Sequence, residues 1–139
     1  MTITKEVQFD MGHRLMEYAG PCSRLHGHRY RLVVSVDGVL QGKGSESGMV
    51  IDFAKLKATI AEVVGQYDHH TVLQLEDPLS MKVDPERDGV VLLHWPPTAE
   101  NLAQMFFDML ALRLGLQRIT LVRVQLWETP TSMAEVTRE

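Results

Sequence analysis

The chain has 139 residues, the size of one domain, and we predict a single domain over residues 1–139. Its net charge is −4, its aromatic content is 6%, and Lys and Arg form no cluster, so we expect no nucleic-acid partner. No apolar run approaches the roughly 20 residues that span a bilayer, and the first ten residues lack the apolar segment of an export signal. We therefore expect a cytoplasmic protein with no membrane partner. The single cysteine, Cys22, excludes an intrachain disulfide.

Alternating apolar and polar side chains predict two strands in the first forty residues. The first covers residues 2–13 and the second about 26–40, with a loop at 14–25 between them. The apolar faces consist of Val7, Phe9, Met11 and His13 in the first strand, and of His28, Tyr30, Leu32, Val34 and Val36 in the second. The alternation therefore places histidines on the same faces as the core residues.

Capping residues and apolar spacing predict two helices further along the chain. Asp52 caps the first, which ends near Gly65, and Thr98 caps the second, which ends at Gly115. Their apolar stripes are Phe53, Leu56, Ile60, Val63, Val64 and Tyr67 in the first, and Leu102, Met105, Phe106, Met109 and Leu110 in the second. The connection at 71–97 is long for a structureless loop, so we expect secondary structure in it, such as a short strand at 89–94.

The last part of the chain predicts a strand at about 117–128 and a short final strand at 132–138. The apolar face of the longer strand contains Val122, Val124 and Leu126, and Glu128 continues that face. Strands grouped around a pair of helices indicate the α+β class, with an antiparallel sheet covered on one face. The outer strands of so small a sheet would have open edges, which oligomerisation would cover.

Three histidines in the two N-terminal strands are candidates for a metal site. His26 and His28 are two residues apart in a strand, so their imidazoles point to the same side, and His13 ends the preceding strand. If these strands pair antiparallel, the three imidazoles converge at one end of the sheet. Three histidines with an open fourth position are typical of catalytic zinc. The alternative is three unrelated histidines, each with its own structural partner.

Cys22 lies four residues before His26, where a bound dication and Arg24 would favour the thiolate, so it is a candidate base or nucleophile. The alternative is a small buried hydrophobe.

Asp68 precedes His69 and His70, and a carboxylate beside an imidazole is typical of a proton-shuttling histidine. Adjacent Asp-His pairs also occur in ordinary loops, and His70 could be a capping or core residue.

Glu128, on an apolar face, needs a partner. That partner is either a structural Arg or backbone N–H group, or a ligand with two parallel donors.

Taken together, six motifs in order resemble the 6-pyruvoyl-tetrahydropterin synthase and 6-carboxy-tetrahydropterin synthase family. They are FDMGHRL around His13, CSRLHGH at 22–28, GMVIDFAKLK at 48–57, YDHH at 67–70, PTAEN at 97–101 and WET at 127–129. The resemblance implies a tunnelling fold: a four-stranded antiparallel sheet with two helices on one face. It also implies that three subunits close a twelve-stranded barrel, that two trimers stack into a hexamer, and that active sites lie between subunits.

The same resemblance assigns roles to the candidate residues. His13, His26 and His28 correspond to the zinc ligands, Cys22 to the catalytic cysteine, and Asp68 with His69 to the charge-relay pair. Glu128 corresponds to the carboxylate that binds the amino-pyrimidine edge of the pterin, with Thr98 in the same pocket. The implied substrate is 7,8-dihydroneopterin triphosphate, with Zn²⁺ as the cofactor and no redox cofactor. Arg14, Arg24 and Arg29 are candidates for holding the triphosphate.

The three-residue gap between Cys22 and the HGH motif resembles the queuosine-pathway enzymes, which form 6-carboxy-tetrahydropterin and release acetaldehyde and triphosphate. A pyruvoyl-forming or folate-branch synthase is the alternative enzyme, and a non-catalytic pterin-binding protein is the alternative of another class. A purely structural zinc protein would need a fourth protein ligand, which the sequence does not reveal. Two departures from the family pattern are the long, Pro-rich connection at 71–97 and Gly12 in place of the usual alanine before His13.

Overall fold

The computed structural model describes residues 1–138, which form six strands and three helices. In chain order these are β1 (Thr2–His13), β2 (His26–Asp37), α1 (Phe53–Val64), β3 (His70–Gln74), α2 (Pro85–Asp88), β4 (Val90–Leu93), α3 (Ala99–Gly115), β5 (Thr120–Thr129) and β6 (Ser132–Thr137). Two short 3-10 turns, Pro21–Ser23 and Pro78–Lys82, lie in the connections. All the predicted long elements are present, and the expected final strand is β6.

The strands form one mixed sheet in the order β4-β3-β1-β2-β5-β6. The pairs β1–β2, β2–β5 and β5–β6 are antiparallel, as predicted, whereas β3 runs parallel to β1 and β4 parallel to β3. The prediction of a four-stranded sheet is therefore wrong. The connection after α1 supplies two further strands, because its apolar stretches return alongside the end of β1 instead of crossing the surface. The strand expected at 89–94 is confirmed as β4.

Both long helices cover the same face of the sheet, and their caps are as predicted. The Asp52 carboxylate accepts from the amide of Ala54 at 2.7 Å, and the Thr98 hydroxyl accepts from that of Asn101 at 3.2 Å. Helix side chains join strand side chains in one core, which includes Phe9, Tyr30, Leu32, Leu56, Ile60, Leu102, Phe106 and Leu110. Phe53, predicted to be buried, is exposed, and α2 is an additional one-turn helix. Among residues 1–138 no helix is long and apolar enough to cross a membrane.

Strand β5 departs from the predicted alternation at its first residues. Ser35 pairs with Arg123 whereas Val36 pairs with Leu121, so Val122 is an extra residue opposite a continuous β2. Consequently Leu121 is 1% exposed, and the prediction that Val122 occupies the core face is wrong. A second register shift, between Trp127 and Thr129, affects the pairing of β5 with β6 at Glu128.

Candidate functional site

The pairing of β1 with β2 brings the three predicted histidine ligands together at one end of the sheet. His13 pairs with His26, and Met11 with His28, in a continuous antiparallel register. The Nε2 atoms of His13 and His26 are 3.2 Å apart, and one ring nitrogen from each of the three lies within 4.8 Å of the others. Gly27 allows this close pairing, because a Cβ there would be 3.3 Å from the Met11 carbonyl oxygen. The histidines therefore form a single cluster.

Backbone carbonyls fix the tautomers of two of these rings. Nδ1 of His13 is 2.8 Å from the carbonyl oxygen of Pro97, and Nδ1 of His26 is 2.7 Å from that of Arg24. Carbonyl oxygens only accept, so each Nδ1 carries a hydrogen and Nε2 is the nitrogen left to ligate a metal. Burial lowers the pKa of His13, against the opposing effects of Pro97 and Glu128, and burial also lowers that of His28. Neutral, oriented imidazoles fit a divalent transition metal such as zinc.

Glu128 lies beside this cluster. Its Oε1 atom is 3.3 Å from Nε2 of His13 and 3.5 Å from Nε2 of His28, and its side chain is 25% exposed. The buried Tyr30 lies beneath, with its hydroxyl 3.5 Å from Nδ1 of His13. Burial, together with the charge of Glu128, raises the pKa of Tyr30, so the phenol stays neutral. Among residues 1–138 the partners of Glu128 are thus these two imidazoles and the Tyr30 hydroxyl, not the Arg or the backbone amide considered from sequence.

Asp68 and His69 form the expected pair directly after α1. Nδ1 of His69 is 2.8 Å from Oδ1 of Asp68, and the same oxygen accepts from the Asp10 amide at 3.0 Å. Slight burial alone would raise the pKa of Asp68, but the hydrogen bonds from Asp10 and His69 outweigh it and lower that pKa. His70 instead bonds the Asp68 carbonyl at 2.8 Å, which is a local structural role.

The relay pair lies on the other side of the sheet from the histidine cluster. Asp10 and His69 line an open cavity of about 460 Å³, together with Arg29 and Thr71. Asp10 is on the polar face of β1, whereas His13 is on the buried face. His69 is 76% exposed and has a φ of 61°, a left-handed conformation that is uncommon outside glycine. Within one subunit, His69 therefore lies on the Asp10 side of β1, and the cavity that it lines also reaches His28.

The loop at 14–25 contains Cys22 and is closed by a hydrogen bond from the Leu15 amide to the Cys22 carbonyl, 2.9 Å long. Cys22 lies in the 3-10 turn Pro21–Ser23 and is half-buried. Among residues 1–138 its sulfur is not one of the atoms that cluster with the histidine nitrogens. The structure therefore places Cys22 in the segment that leads into His26, outside the metal-ligand set.

Two of the three arginines considered for the triphosphate already have carboxylate partners. Arg14 donates to buried Asp77 through Nε at 2.6 Å and also through Nη2, and Arg29 donates to Asp10 at 3.0 Å. Arg24 is exposed and makes no ion pair with another described residue. Of the three, Arg24 is the one left to meet an anionic ligand.

Residues of the long connection support the metal cluster in a way that sequence reasoning did not predict. The Asp77 carboxylate accepts a hydrogen bond from Arg14, the residue that follows His13. The Pro97 carbonyl accepts one from the His13 ring and so orients it. The hydroxyl of Thr98, expected in the substrate pocket, caps α3 one residue further on. A backbone carbonyl has no sequence signature, and the Arg14–Asp77 pair joins residues 63 positions apart, so neither partner was visible before folding.

A family model described as 6-pyruvoyl tetrahydropterin synthase matches residues 2–139. The chain is 34% identical over 141 residues to the 6-carboxy-5,6,7,8-tetrahydropterin synthase of Haemophilus influenzae, covering 96% of each. It is 36% identical over 147 residues to a putative 6-carboxy-5,6,7,8-tetrahydropterin synthase of Pyrococcus horikoshii, covering 96% of this chain and 87% of the relative. The structure of Caenorhabditis elegans 6-pyruvoyl tetrahydropterin synthase matches with a TM-score of 0.71 at 27% identity, covering 100% of this chain and 96% of that one. The chain therefore belongs to the 6-pyruvoyl tetrahydropterin synthase family.

Proposed function

We propose that this protein is a zinc-dependent 6-carboxy-5,6,7,8-tetrahydropterin synthase. It would act as a lyase that converts 7,8-dihydroneopterin triphosphate and one water molecule to 6-carboxy-tetrahydropterin, acetaldehyde and triphosphate, in queuosine biosynthesis. The observation that carries this proposal is the cluster of His13, His26 and His28, with two tautomers fixed by carbonyls. The names of the bacterial and archaeal relatives support the carboxy product over the pyruvoyl one.

The metal cluster would bind the side-chain end of the substrate. When held by His13, His26 and His28, zinc supplies a Lewis acid that makes the substrate's side-chain hydroxyls more acidic. The carbonyl bonds of Pro97 and Arg24 keep two of these rings in the tautomer that ligates through Nε2. Glu128 would accept two parallel N–H bonds from the amino-pyrimidine edge of the pterin, with Thr98 nearby.

The proton-transfer roles fall to Cys22 and His69. Asp68 accepts the Nδ1 hydrogen of His69, so Nε2 is the nitrogen that takes up or delivers a proton. Cys22, as a thiolate, would remove a proton from the substrate side chain. Moving protons between side chain and ring converts the dihydropterin to the tetrahydropterin level, because the side chain is oxidised as the ring is reduced.

Open strand edges support the assembly that this mechanism needs. β3 pairs with β1 only at Met11–His13, so residues 2–10 of β1 have no strand on the side away from β2 among residues 1–138. β6 is the other edge, and the directions alternate from β1 through β2 and β5 to β6. A neighbour's β1 beside β6 would continue this alternation, so three copies can close a twelve-stranded barrel. Such a trimer, or two stacked as a hexamer, would bring one subunit's Asp68–His69 pair to another's metal.

The test is mass spectrometry of the products formed by zinc-loaded protein from 7,8-dihydroneopterin triphosphate. We expect 6-carboxy-tetrahydropterin with acetaldehyde, and no product from Cys22→Ala. A pyruvoyl or hydroxymethyl product would assign the chain to another branch of the family. Binding of the pterin without turnover would instead support a non-catalytic pterin-binding protein.

A further inference from the structure

The contact between Glu128 and His13 joins two atoms that both accept hydrogen bonds when the imidazole is neutral. Because Nδ1 of His13 donates to the Pro97 carbonyl, Nε2 of the neutral ring has a lone pair. That nitrogen faces Nε2 of His26 at 3.2 Å and Oε1 of Glu128 at 3.3 Å. Nδ1 of His26 likewise donates to the Arg24 carbonyl, which leaves Nε2 as the nitrogen available to a metal. With His13 neutral, its Nε2 cannot donate to the Glu128 carboxylate, and a cation between the two atoms would relieve the repulsion of their lone pairs.

A proton and a metal ion are the two cations that could reconcile this arrangement. A proton on Nε2 of His13 would create an imidazolium at a side chain that is 2% exposed, which burial disfavours. A metal ion would instead set a characteristic spacing between the atoms that ligate it. Tetrahedral zinc with bonds of about 2.0–2.2 Å has ligand atoms about 3.3–3.6 Å apart. The two Glu128 distances, 3.3 Å and 3.5 Å, fall in that range.

The surroundings of Glu128 allow its carboxylate to leave the cluster. The residue lies at the register shift between Trp127 and Thr129, and its side chain is 25% exposed. It also lines an open cavity of about 440 Å³ with His28, Arg31 and Trp127. Glu128 lies near His13 and His28 and forms a hydrogen bond with the Tyr30 hydroxyl. Among residues 1–138 its carboxylate is not in the group of atoms that all lie within 4.8 Å of one another, so it approaches the three histidines from one side.

We infer that Glu128 is a fourth, displaceable ligand of the metal in the substrate-free protein, released when a pterin competes for its carboxylate. The release step rests on the proposed function, whereas the ligation does not. Docking of the pterin edge would then open the fourth coordination position, so that the metal becomes available to the side-chain hydroxyls only when the ring is bound. The closed state would also differ from a structural zinc site, because one of its ligands exchanges.

Ligation is tested on the full chain with Co²⁺, whose visible absorption spectrum reports its coordination number. We expect Glu128→Ala to change that spectrum and to weaken metal binding by at least about 10-fold in competition with a chelator. Glu128→Gln, which keeps the shape of the side chain, should fall between Glu128→Ala and the unchanged protein. Glu135→Gln is the matched control, because Glu135 lies on β6 and pairs with Arg123 and Gln125. Circular dichroism of each metal-free variant checks folding.

The outcomes separate this inference from the proposed function. An unchanged Co²⁺ spectrum and affinity in Glu128→Ala would overturn ligation, even if the unchanged protein turns over the pterin triphosphate. Weakened metal binding together with no turnover by any form would retain ligation and reject the proposed function. Displacement is tested by adding 7,8-dihydroneopterin to the Co²⁺ protein. A spectrum that moves towards that of Glu128→Ala supports release, and saturating pterin without a spectral change refutes it.

Discussion

The ion pair between Arg14 and Asp77 connects the long connection at 71–97 to Arg14, the residue that follows His13. Asp77 is 1% exposed, accepts two hydrogen bonds from Arg14, and caps the 3-10 turn through the Leu79 amide at 2.9 Å. Asp77→Ala would leave a largely buried guanidinium unpaired and the turn uncapped. Removing one partner of a buried pair costs about 3–5 kcal/mol. Because the Arg14 side chain is 25% exposed, water can partly replace the lost partner, and we expect about 3 kcal/mol.

For a domain of this size, that loss lowers the melting temperature by about 10 °C. The assay is urea unfolding of the metal-free protein, which separates the stability of the fold from that of the metal site. Asp77→Asn should lose less, because an amide oxygen can still cap the turn. Arg87→Ala is the control, since its ion pair with Asp88 is exposed and should contribute little to the free energy of unfolding. If Asp77→Ala costs no more than this control, the reasoning about the buried pair is wrong.

Three further predictions concern pH, catalysis and the strand register. Burial alone would raise the pKa of Asp77, but its bonds to Arg14 and Leu79 lower it below the ordinary 3.8. The stabilisation from Asp77 is therefore complete above pH 3.8 and is lost as the pH falls through the lower pKa of the folded state. The free energy of unfolding, measured as a function of acid pH, should show this loss, and Asp77→Asn should not show it. Cys22→Ala should abolish turnover while metal content, measured by atomic absorption, stays unchanged; loss of metal would instead make the thiol a ligand. Leu121→Ala should lower the free energy of unfolding by about 2–5 kcal/mol in chemical denaturation, and Val122→Ala by under about 1.5 kcal/mol, because the bulge buries Leu121. Equal losses in the two variants would contradict the bulge.

Local regularities explain why much of the site was predictable. The period-two alternation in β1 and β2 determines which side chains share a face, so it placed the three histidines together once the strands paired. The caps at Asp52 and Thr98 act within three residues of themselves, and both helices begin where predicted. The roles of Cys22 and Glu128 in catalysis remain predictions.

The bulge in β5, the two additional strands and the partners of Glu128 depend on the tertiary structure. A bulge depends on the pairing with the neighbouring strand, so the alternation within β5 alone predicted Val122, and not Leu121, on the core face. The short apolar stretches at 70–74 and 90–93 become strands because the open side of β1 near His13 accepts a parallel partner. By itself, the sequence determined the residue types, their alternation and therefore which three histidines form the candidate metal site. Only the folded chain decided which carbonyls and carboxylates surround these histidines. Those contacts join residues separated by as many as 115 positions, from His13 to Glu128, and local chemistry does not encode such proximity.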